Sequence, residues 1–493
     1  MFELTGILDA LARDQQLLEP PGSFPATITG VADHTDDVIP GSLFCAVRGT
    51  ERDGHDFLTA ASERGATAFL VTEKRGLAGE VHVKDGRIAA ALAAAAFFGH
   101  PAHSLTLIGV TGTNGKSTTV HVTRHLLNVN VDVGAIGTLG AYDGHGDALY
   151  TEKLTTPGPI ALHKAFAELV DRGTRCVVLE VSSHALHQKR LHGVTLAAAI
   201  FTNFSRDHLD YHATWQEYVA AKLSLVNHLG SQGWQIVNAD DRAWSDLPLP
   251  DGQRRLTFGI REQADVTAEV VNMSGSGSEL RLRMRPDRSE TGVPGSVYFP
   301  LLGEFNVSNA LAAAACASTM GLLPDEIVRR LASVPQVPGR MERIGPDGYL
   351  VLRDYSHTPD ALERASRAAR PLTSGRLMVL FGCGGDRDRG KRTPMGKIAA
   401  AEADVVIVTS DNPRTEDPDR IIRDIEEGMQ GKAYVRIVDR REAILRAVEM
   451  MRPEDCLLLA GKGHETYQVL GTRRVPFDER LIVEEAFRLK GGS

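Results

Sequence analysis

Residues 109–118 read GVTGTNGKST and follow directly on the apolar run at 105–110. The order is strand, glycine turn, lysine, hydroxyl, helix. A phosphate site needs that order, because glycines let backbone N–H groups close on phosphate oxygens and a helix N-terminus favours negative charge. The spacing departs from the common G-x-x-x-x-G-K-[ST] pattern, which asks for glycine where Val110 stands. The glycines here are Gly109, Gly112 and Gly115. Lys116 can neutralise β and γ phosphates, and Ser117 or Thr118 can hold Mg²⁺. The stretch therefore predicts a nucleoside triphosphate at the head of an α/β sheet.

Working outward, apolar strands are expected at 176–181, 197–202 and 234–237, with helices at 158–171 and 214–229 between them. This alternation predicts a parallel sheet. Residues 255–300 differ: the alternation SELRLRMR predicts an added antiparallel sheet. An alanine-rich helix follows at 306–320. Beyond Pro338, strands at 349–353, 376–381, 404–409, 434–438 and 456–459 predict a second, doubly wound sheet of Rossmann type. Before the glycine loop, strands at 41–47 and 67–71 and the apolar helix at 88–98 form a unit of their own, closed by Pro101-Ala102. The fold class is α/β in three domains: 1–103, a central P-loop-type domain at 104–337, and 338–493.

A chain of 493 residues is too long for one core, which agrees with that division. The net charge of −8, with no basic block, argues against nucleic acid as a partner. The run at 88–98 is too short to span a bilayer, and the opening MFELTGILDALARDQQ lacks a basic then apolar leader, so no membrane insertion or secretion is expected. The five cysteines form no C-x-x-C pair, so neither a zinc knuckle nor a disulfide framework is expected.

Chemistry gathers where strands end, as it does in open α/β sheets. LEVSSHAL places Glu180 at one strand end, and TNFSRDHLDYH places Asp207, His208 and Asp210 at the next. A carboxylate and an imidazole beside a triphosphate loop suit Mg²⁺, although magnesium prefers oxygen. The third unit repeats the logic. DYSHTPDA carries Asp354 and His357, and GCGGDRDRGKR carries Arg387, Arg389, Lys391 and Arg392. SDNPRTEDP carries Asp411, Asn412 and Arg414, and AGKGHE carries Lys462, His464 and Glu465. Four polar clusters along one sheet edge predict a face for a ligand with both carboxylates and ammonium groups.

The ordered set GTNGKST, TTP, EVSSHAL, TNFSRDHLDYH, AAK, FNVSNALAA, GRME, DYSHTPDAL, GCGGDRDRGKR, DNPR and GKGHE resembles the Mur ligases, ATP-dependent amide-bond-forming enzymes of peptidoglycan precursor synthesis. The likeness runs from about residue 30 to about 470. The glycine spacing that departs from the general pattern is normal in that family. The resemblance implies an N-terminal domain for a UDP-sugar, a central ATPase domain, and a C-terminal domain that takes the incoming amino acid. Gly112, Thr113, Asn114, Gly115, Lys116, Ser117 and Thr118 would bind ATP, together with Asn306, Asn309, Arg340 and Asp354. Ser117, Glu180, His208 and Lys222 would serve the metal, with Lys222, otherwise read as a helix-surface lysine, carried as a carbamate.

By the same resemblance Thr155, Thr156, Ser182, Gln188 and Arg190 would hold the UDP-muramoyl-dipeptide. Relatives often show Asp-Ser-Arg near the uracil; here the stretch is ADHTDDV, where Thr35 stands for the serine and no arginine follows. Arg387, Asp411, Asn412, Pro413, Arg414, Gly461 and Glu465 would bind diaminopimelate. The DNPR quartet points to that amino acid, whose second carboxylate gives the arginine something to grip. The implied reaction joins meso-2,6-diaminopimelate to the D-glutamyl γ-carboxylate of the UDP-muramoyl-dipeptide through an acyl phosphate. A cytoplasmic monomer is expected, with Lys116, Lys222, Glu180 and His208 at the reaction centre. The alternatives are the same reaction with L-lysine and a non-catalytic ATP-binding relative.

Overall fold

The structure is a computed structural model and describes residues 1–20, 24–50, 52–129, 131–150, 154–205, 211–212, 214–285 and 293–491. The chain gathers into two compact units, one of residues 1–265 with 312–322, the other of 266–311 with 323–493.

The first unit opens with a small parallel sheet in the order Val31–Ala32, Leu43–Cys45, Ala68–Val71, Glu80–His82. Helix Gly86–Phe97 packs against it. Its alanines bring the backbone close to the sheet, and seven of them are buried. Asp85 caps this helix, accepting from the amides of Arg87 and Ile88, a contact of about 1 kcal/mol.

The larger sheet of this unit carries the glycine loop. Its parallel strands run in the order Val133–Gly137, Cys176–Glu180, Thr106–Thr111, Leu196–Phe201, Leu229–Asn238, Arg254–Gly259. Two short antiparallel strands, Gly140–Tyr142 and Ala148–Tyr150, extend the first edge. Cys176–Glu180 is buried along its whole length, as strands covered on both faces must be. The register aligns the strand ends: Glu180 lies opposite Val110, and Phe201 opposite Thr111. Three carboxyl ends therefore meet where the glycine loop begins. The expected helix at 214–229 is shorter, ending at Leu223 and passing into a 3₁₀ turn over Ser224–His228.

In the second unit, Val266–Ser274, Gly277–Met284 and Val293–Phe299 form the antiparallel sheet read from SELRLRMR. Inward and outward residues alternate strictly along Gly277–Met284 from Glu279 onward. The other sheet runs Leu350–Asp354, Cys456–Ala460, Leu377–Phe381, Val405–Val408, Val435–Arg436, all parallel, with Glu342–Arg343 antiparallel on one edge. One face buries Leu362, Met395 and Ile422 from helices Pro359–Ala369, Arg392–Glu402 and Pro418–Glu426. The other buries Ile444 and Val483 from Arg440–Met450 and Glu479–Gly491. Each such side chain contributes about 1.5–3 kcal/mol. A hairpin, Tyr467–Leu470 with Arg473–Pro476, follows the last strand. The sequence gives no sign of it, because YQVL and RRVP have no clear alternation.

Candidate functional site

The glycine loop is built by close approach. Gly112 has φ +143°, and a Cβ there would collide with Thr202 Oγ1. That hydroxyl donates to the Thr111 carbonyl at 3.1 Å and the Asn114 carbonyl at 2.8 Å. Asn203 clasps the loop from the same side. Its Oδ1 accepts from Asn114 N at 3.0 Å, its Nδ2 donates to Asn114 O at 2.9 Å, and its carbonyl accepts from Thr113 N at 2.7 Å. Thr113 is fixed again by the Tyr218 hydroxyl at 2.8 Å and Ser205 N at 3.0 Å. Gly115, at φ +84°, starts helix Lys116–Leu127 with no side-chain cap, which leaves a helix N-terminus suited to an anion. Ser117 and Thr118 are buried in its first turn. Lys116 Nζ curls back onto the carbonyls of Gly112 at 2.9 Å and Thr113 at 2.8 Å.

Lys222 overturns the surface reading of its helix. It is 1% exposed, donates from Nζ to Gly112 O at 2.7 Å, and stands 4.8 Å from the centre of the Tyr218 ring. The bond spans 110 positions of sequence, so helix periodicity could not show it. Two lysines therefore converge on one loop. His208, with Asp207 and Asp210, lies outside the described residues.

Glu180 is 2% exposed, with Oε1 accepting from Thr138 N at 2.9 Å and Oε2 from the Thr138 hydroxyl at 3.2 Å. Thr138 links on to Thr155 Oγ1 at 3.2 Å. Thr156 Oγ1 donates to the Glu180 carbonyl at 2.8 Å and accepts from Ser182 N at 3.0 Å. Ser182 caps helix Ser183–His187. Arg190 Nη1 donates to the Thr156 carbonyl, and its Nη2 to Gln188 Oε1 at 2.7 Å. Thr155, Thr156, Ser182, Gln188 and Arg190 thus form one network through Glu180. Among the described residues no cage of three or more His, Cys, Asp or Glu is formed. Glu180 and Ser117 are hard-oxygen donors beside the triphosphate loop, which fits Mg²⁺, an ion that takes one or two carboxylates and completes its shell with phosphate and water.

Thr35 begins a single 3₁₀ turn, Thr35–Asp37. Arg64 Nη1 donates to its carbonyl at 2.6 Å and to Asp36 Oδ1 at 2.7 Å. Arg64, 29 positions away in sequence, thus ties this turn through its guanidinium.

In the second unit Asn306 is fully buried and donates to the Leu302 carbonyl at 2.8 Å, while Asn309 donates to Asn306 Oδ1 at 3.1 Å. Arg340 lies over the Tyr355 ring at 5.1 Å. Asp354 accepts from Met341 N at 2.8 Å and from the Ser356 hydroxyl, and burial raises its carboxyl above the ordinary range. His464 packs on Tyr355 at 5.2 Å, and burial pushes its imidazole down to about 4.

The polar clusters at the strand ends of the second unit's parallel sheet join two loops and a hairpin. Gly385 N donates to Asn412 O at 2.9 Å, and Arg414 Nη1 to Gly385 O at 2.7 Å. Arg414 has φ +52°, a left-handed conformation costly for a residue that carries a Cβ. It is pinned by its amide to Val469 O at 3.1 Å and its carbonyl from Gly471 N at 2.8 Å. Asn412 Nδ2 donates to Glu465 Oε2 at 2.8 Å. Gly461, with φ +115°, leaves room for the Asp411 carboxylate, whose Oδ2 lies 2.7 Å from where a Cβ would sit. Pro413 follows in the same turn, and Arg387 stands exposed on the facing glycine loop. Arg392 departs from the cluster read in sequence. It is fully buried and paired with Glu416 at 2.9 Å and Asp424 at 2.8 Å, so it props the loop from beneath and holds the Glu416 carboxyl down to about 2. Arg440 is also buried, bonded to Glu479 at 2.8 Å and to the carbonyls of Ser410 and Ala460, the residues just before Asp411 and Gly461. All five cysteines are buried free thiols, and burial pushes Cys176, Cys383 and Cys456 up to about 12.

A P-loop-type sheet with an uncapped phosphate helix, together with a doubly wound sheet presenting paired cations and carboxylates, defines a class of nucleotide-dependent α/β enzymes. The comparisons narrow it. A model described as the Mur ligase middle domain matches residues 110–317, and one described as the Mur ligase, glutamate ligase domain matches 339–463. The chain is 42% identical over 462 residues to the UDP-N-acetylmuramoyl-L-alanyl-D-glutamate–2,6-diaminopimelate ligase of Geobacillus thermodenitrificans, covering 92% of this chain and 93% of that one. It is 44% identical to the protein of that name from Thermosynechococcus vestitus, over 91% of each. A solved structure of a ligase of the same name is 32% identical, with a TM-score of 0.67 over 97% of this chain and 98% of that one. The chain belongs to the Mur ligase family.

Proposed function

We propose that this chain is an ATP-dependent ligase that adds meso-2,6-diaminopimelate to the D-glutamyl γ-carboxylate of UDP-N-acetylmuramoyl-L-alanyl-D-glutamate. It would do so as a cytoplasmic monomer divided into domains at 1–103, 104–337 and 338–493. The pinned Arg414 beside the linked Asn412 and Glu465 carries the amino-acid assignment: one guanidinium for a carboxylate, one amide–carboxylate pair for an ammonium. No helix among the described residues is long and apolar enough to cross a membrane.

The residues take these parts. Gly112, Thr113, Asn114, Gly115, Ser117 and Thr118 would cradle the ATP phosphates, and Lys116 would leave its two carbonyls for phosphate oxygen. Asn306, Asn309, Arg340 and Asp354 would serve the rest of the nucleotide. Thr35, Thr155, Thr156, Ser182, Gln188 and Arg190 would hold the UDP-substrate. The γ-phosphoryl group passes to the γ-carboxylate, giving an acyl phosphate and ADP. The neutral amine then attacks the acyl carbon, the C–O bond to phosphate breaks, and phosphate and a proton depart as the amide forms. Donors fixed in advance stabilise the charge that develops in such a step. Mg²⁺ held by Ser117 and Glu180, with His208 and a carbamate on Lys222, would neutralise charge on the phosphates. As a carbamate, Lys222 would change from a second buried cation into an oxygen ligand.

The test is phosphate release from ATP in the presence of the UDP-substrate, with meso-diaminopimelate or L-lysine, for the wild type and Arg414→Ala. Diaminopimelate should be the amino acid used, and the variant should raise its KM roughly 10- to 100-fold, as loss of a hydrogen bond to a charged group does. Release with lysine, or an unchanged KM in the variant, would overturn the amino-acid assignment.

A further inference from the structure

Lys462 is fully buried in the GKGHE turn that follows strand Cys456–Ala460, yet it touches three groups of the amino-acid face. Its Nζ donates to Asn412 Oδ1 at 3.1 Å and to Glu465 Oε2 at 3.3 Å, and it stands 3.7 Å from Asp411 Oδ1. That Asp411 oxygen is buried and has no hydrogen-bond partner among the described residues, so the ammonium is the charge it answers to. The rings of Tyr467 and Phe477 lie 5.8 Å from the same Nζ. Asn412 carries the tie outward, accepting from Val469 N at 2.9 Å and donating to Glu465 at 2.8 Å.

Removing an ammonium from water is costly unless fixed partners repay it. Here two carboxylates, an amide oxygen and two ring faces do so. Without the cation, Asp411 and Glu465 would face each other as like charges, and Glu465 Oε2 would lose one of its two donors. With no exposed surface of its own, Lys462 acts through its neighbours.

We infer that Lys462 is a positioning residue of the amino-acid site, whose buried ammonium locks Asp411, Asn412 and Glu465 into one set for the ammonium-and-carboxylate end of the incoming amino acid. The inference rests on the amino-acid face proposed above, and it assigns the lysine a role in substrate selection beyond packing. Local order and substrate use are therefore read separately.

Amide hydrogen exchange is followed in residues 411–414 and 465–470 of the free wild type, Lys462→Met and Lys462→Arg. Steady-state KM and kcat are measured with diaminopimelate, ATP and the UDP-substrate. Lys462→Met should lose protection in both segments and raise the amino-acid KM at least about tenfold, or about 1.4 kcal/mol, with the ATP KM within about twofold. Lys462→Arg should recover part of both. A cycle with Glu465→Gln separates this from general loosening: in that background Lys462→Met should cost much less. Unchanged exchange with an unchanged amino-acid KM, or equal KM changes for all three substrates, would overturn the inference. If the wild type uses a different amino acid, the assignment of diaminopimelate fails, while the exchange data and the KM for that amino acid still decide the role of Lys462.

Discussion

The candidate sites of the two units hold their cations in different ways. In the first, Lys116 and Lys222 rest on neutral carbonyls of Gly112 and Thr113. His163, buried with no hydrogen-bond partner at either ring nitrogen among the described residues, is kept uncharged, its imidazole pushed down to about 4 by burial and by the nearby His100 and His103. In the second, Lys462, Arg392 and Arg440 rest on carboxylates. A cation on carbonyls is easily recruited by an arriving polyanion, because the carbonyls compete weakly. A cation on carboxylates stays where it is and makes a frame. On the roles proposed above, the difference separates a site that must exchange partners during a reaction from one that must recognise a fixed shape.

The largest effect should come from breaking the frame. Glu479→Gln leaves Arg440 buried without its counter-charge, and such losses cost about 3–5 kcal/mol. Urea unfolding would show it, and a midpoint like that of the wild type would mean the frame does not depend on paired charge. Next, Lys116→Met should lower ATP-dependent phosphate release roughly 10²–10³-fold while moving the unfolding midpoint less than Glu479→Gln does, since the half-buried ammonium donates to the neutral carbonyls of Gly112 and Thr113. A matching fall in stability would erase the contrast between the units.

The third test sharpens it through pH. Folded His163 titrates near 4 and unfolded histidine near 6.5. Between those values the unfolded chain binds the extra proton, so stability is full above about pH 6.5 and declines as pH falls toward 4. The total is about 3 kcal/mol for a shift of this size. His163→Phe should flatten that limb of the stability profile, and an unchanged slope would place the acid sensitivity elsewhere.

Much of this was legible in the sequence, and the reasons for the rest are physical. Strands such as Cys176–Glu180 and Leu377–Phe381 announce themselves because they are buried on both faces and continuously apolar. The glycine loop is legible because sterics allow few residue types at Gly112. Strands Val133–Gly137 and Gly140–Tyr142 escape notice, being short, glycine-bearing and without alternation. Lys222, Arg64 and Arg392 owe their placement to partners 110, 29 and 24 positions away. Residue type alone cannot tell a propping arginine from a ligand-binding one. The roles implied for Thr155, Thr156, Ser182, Gln188 and Arg190 rest on family likeness, and only the folded chain brings them into a single hydrogen-bonded network.

The five sequestered thiols give the molecule a practical property. Maleimide chemistry works on accessible thiolates, and these sulfurs are neither accessible nor easily ionised. A cysteine placed at an exposed position on each unit would therefore take a fluorophore with little background from the native thiols. Single-molecule energy transfer between such a pair would follow the units through a catalytic cycle without the native cysteines first being removed.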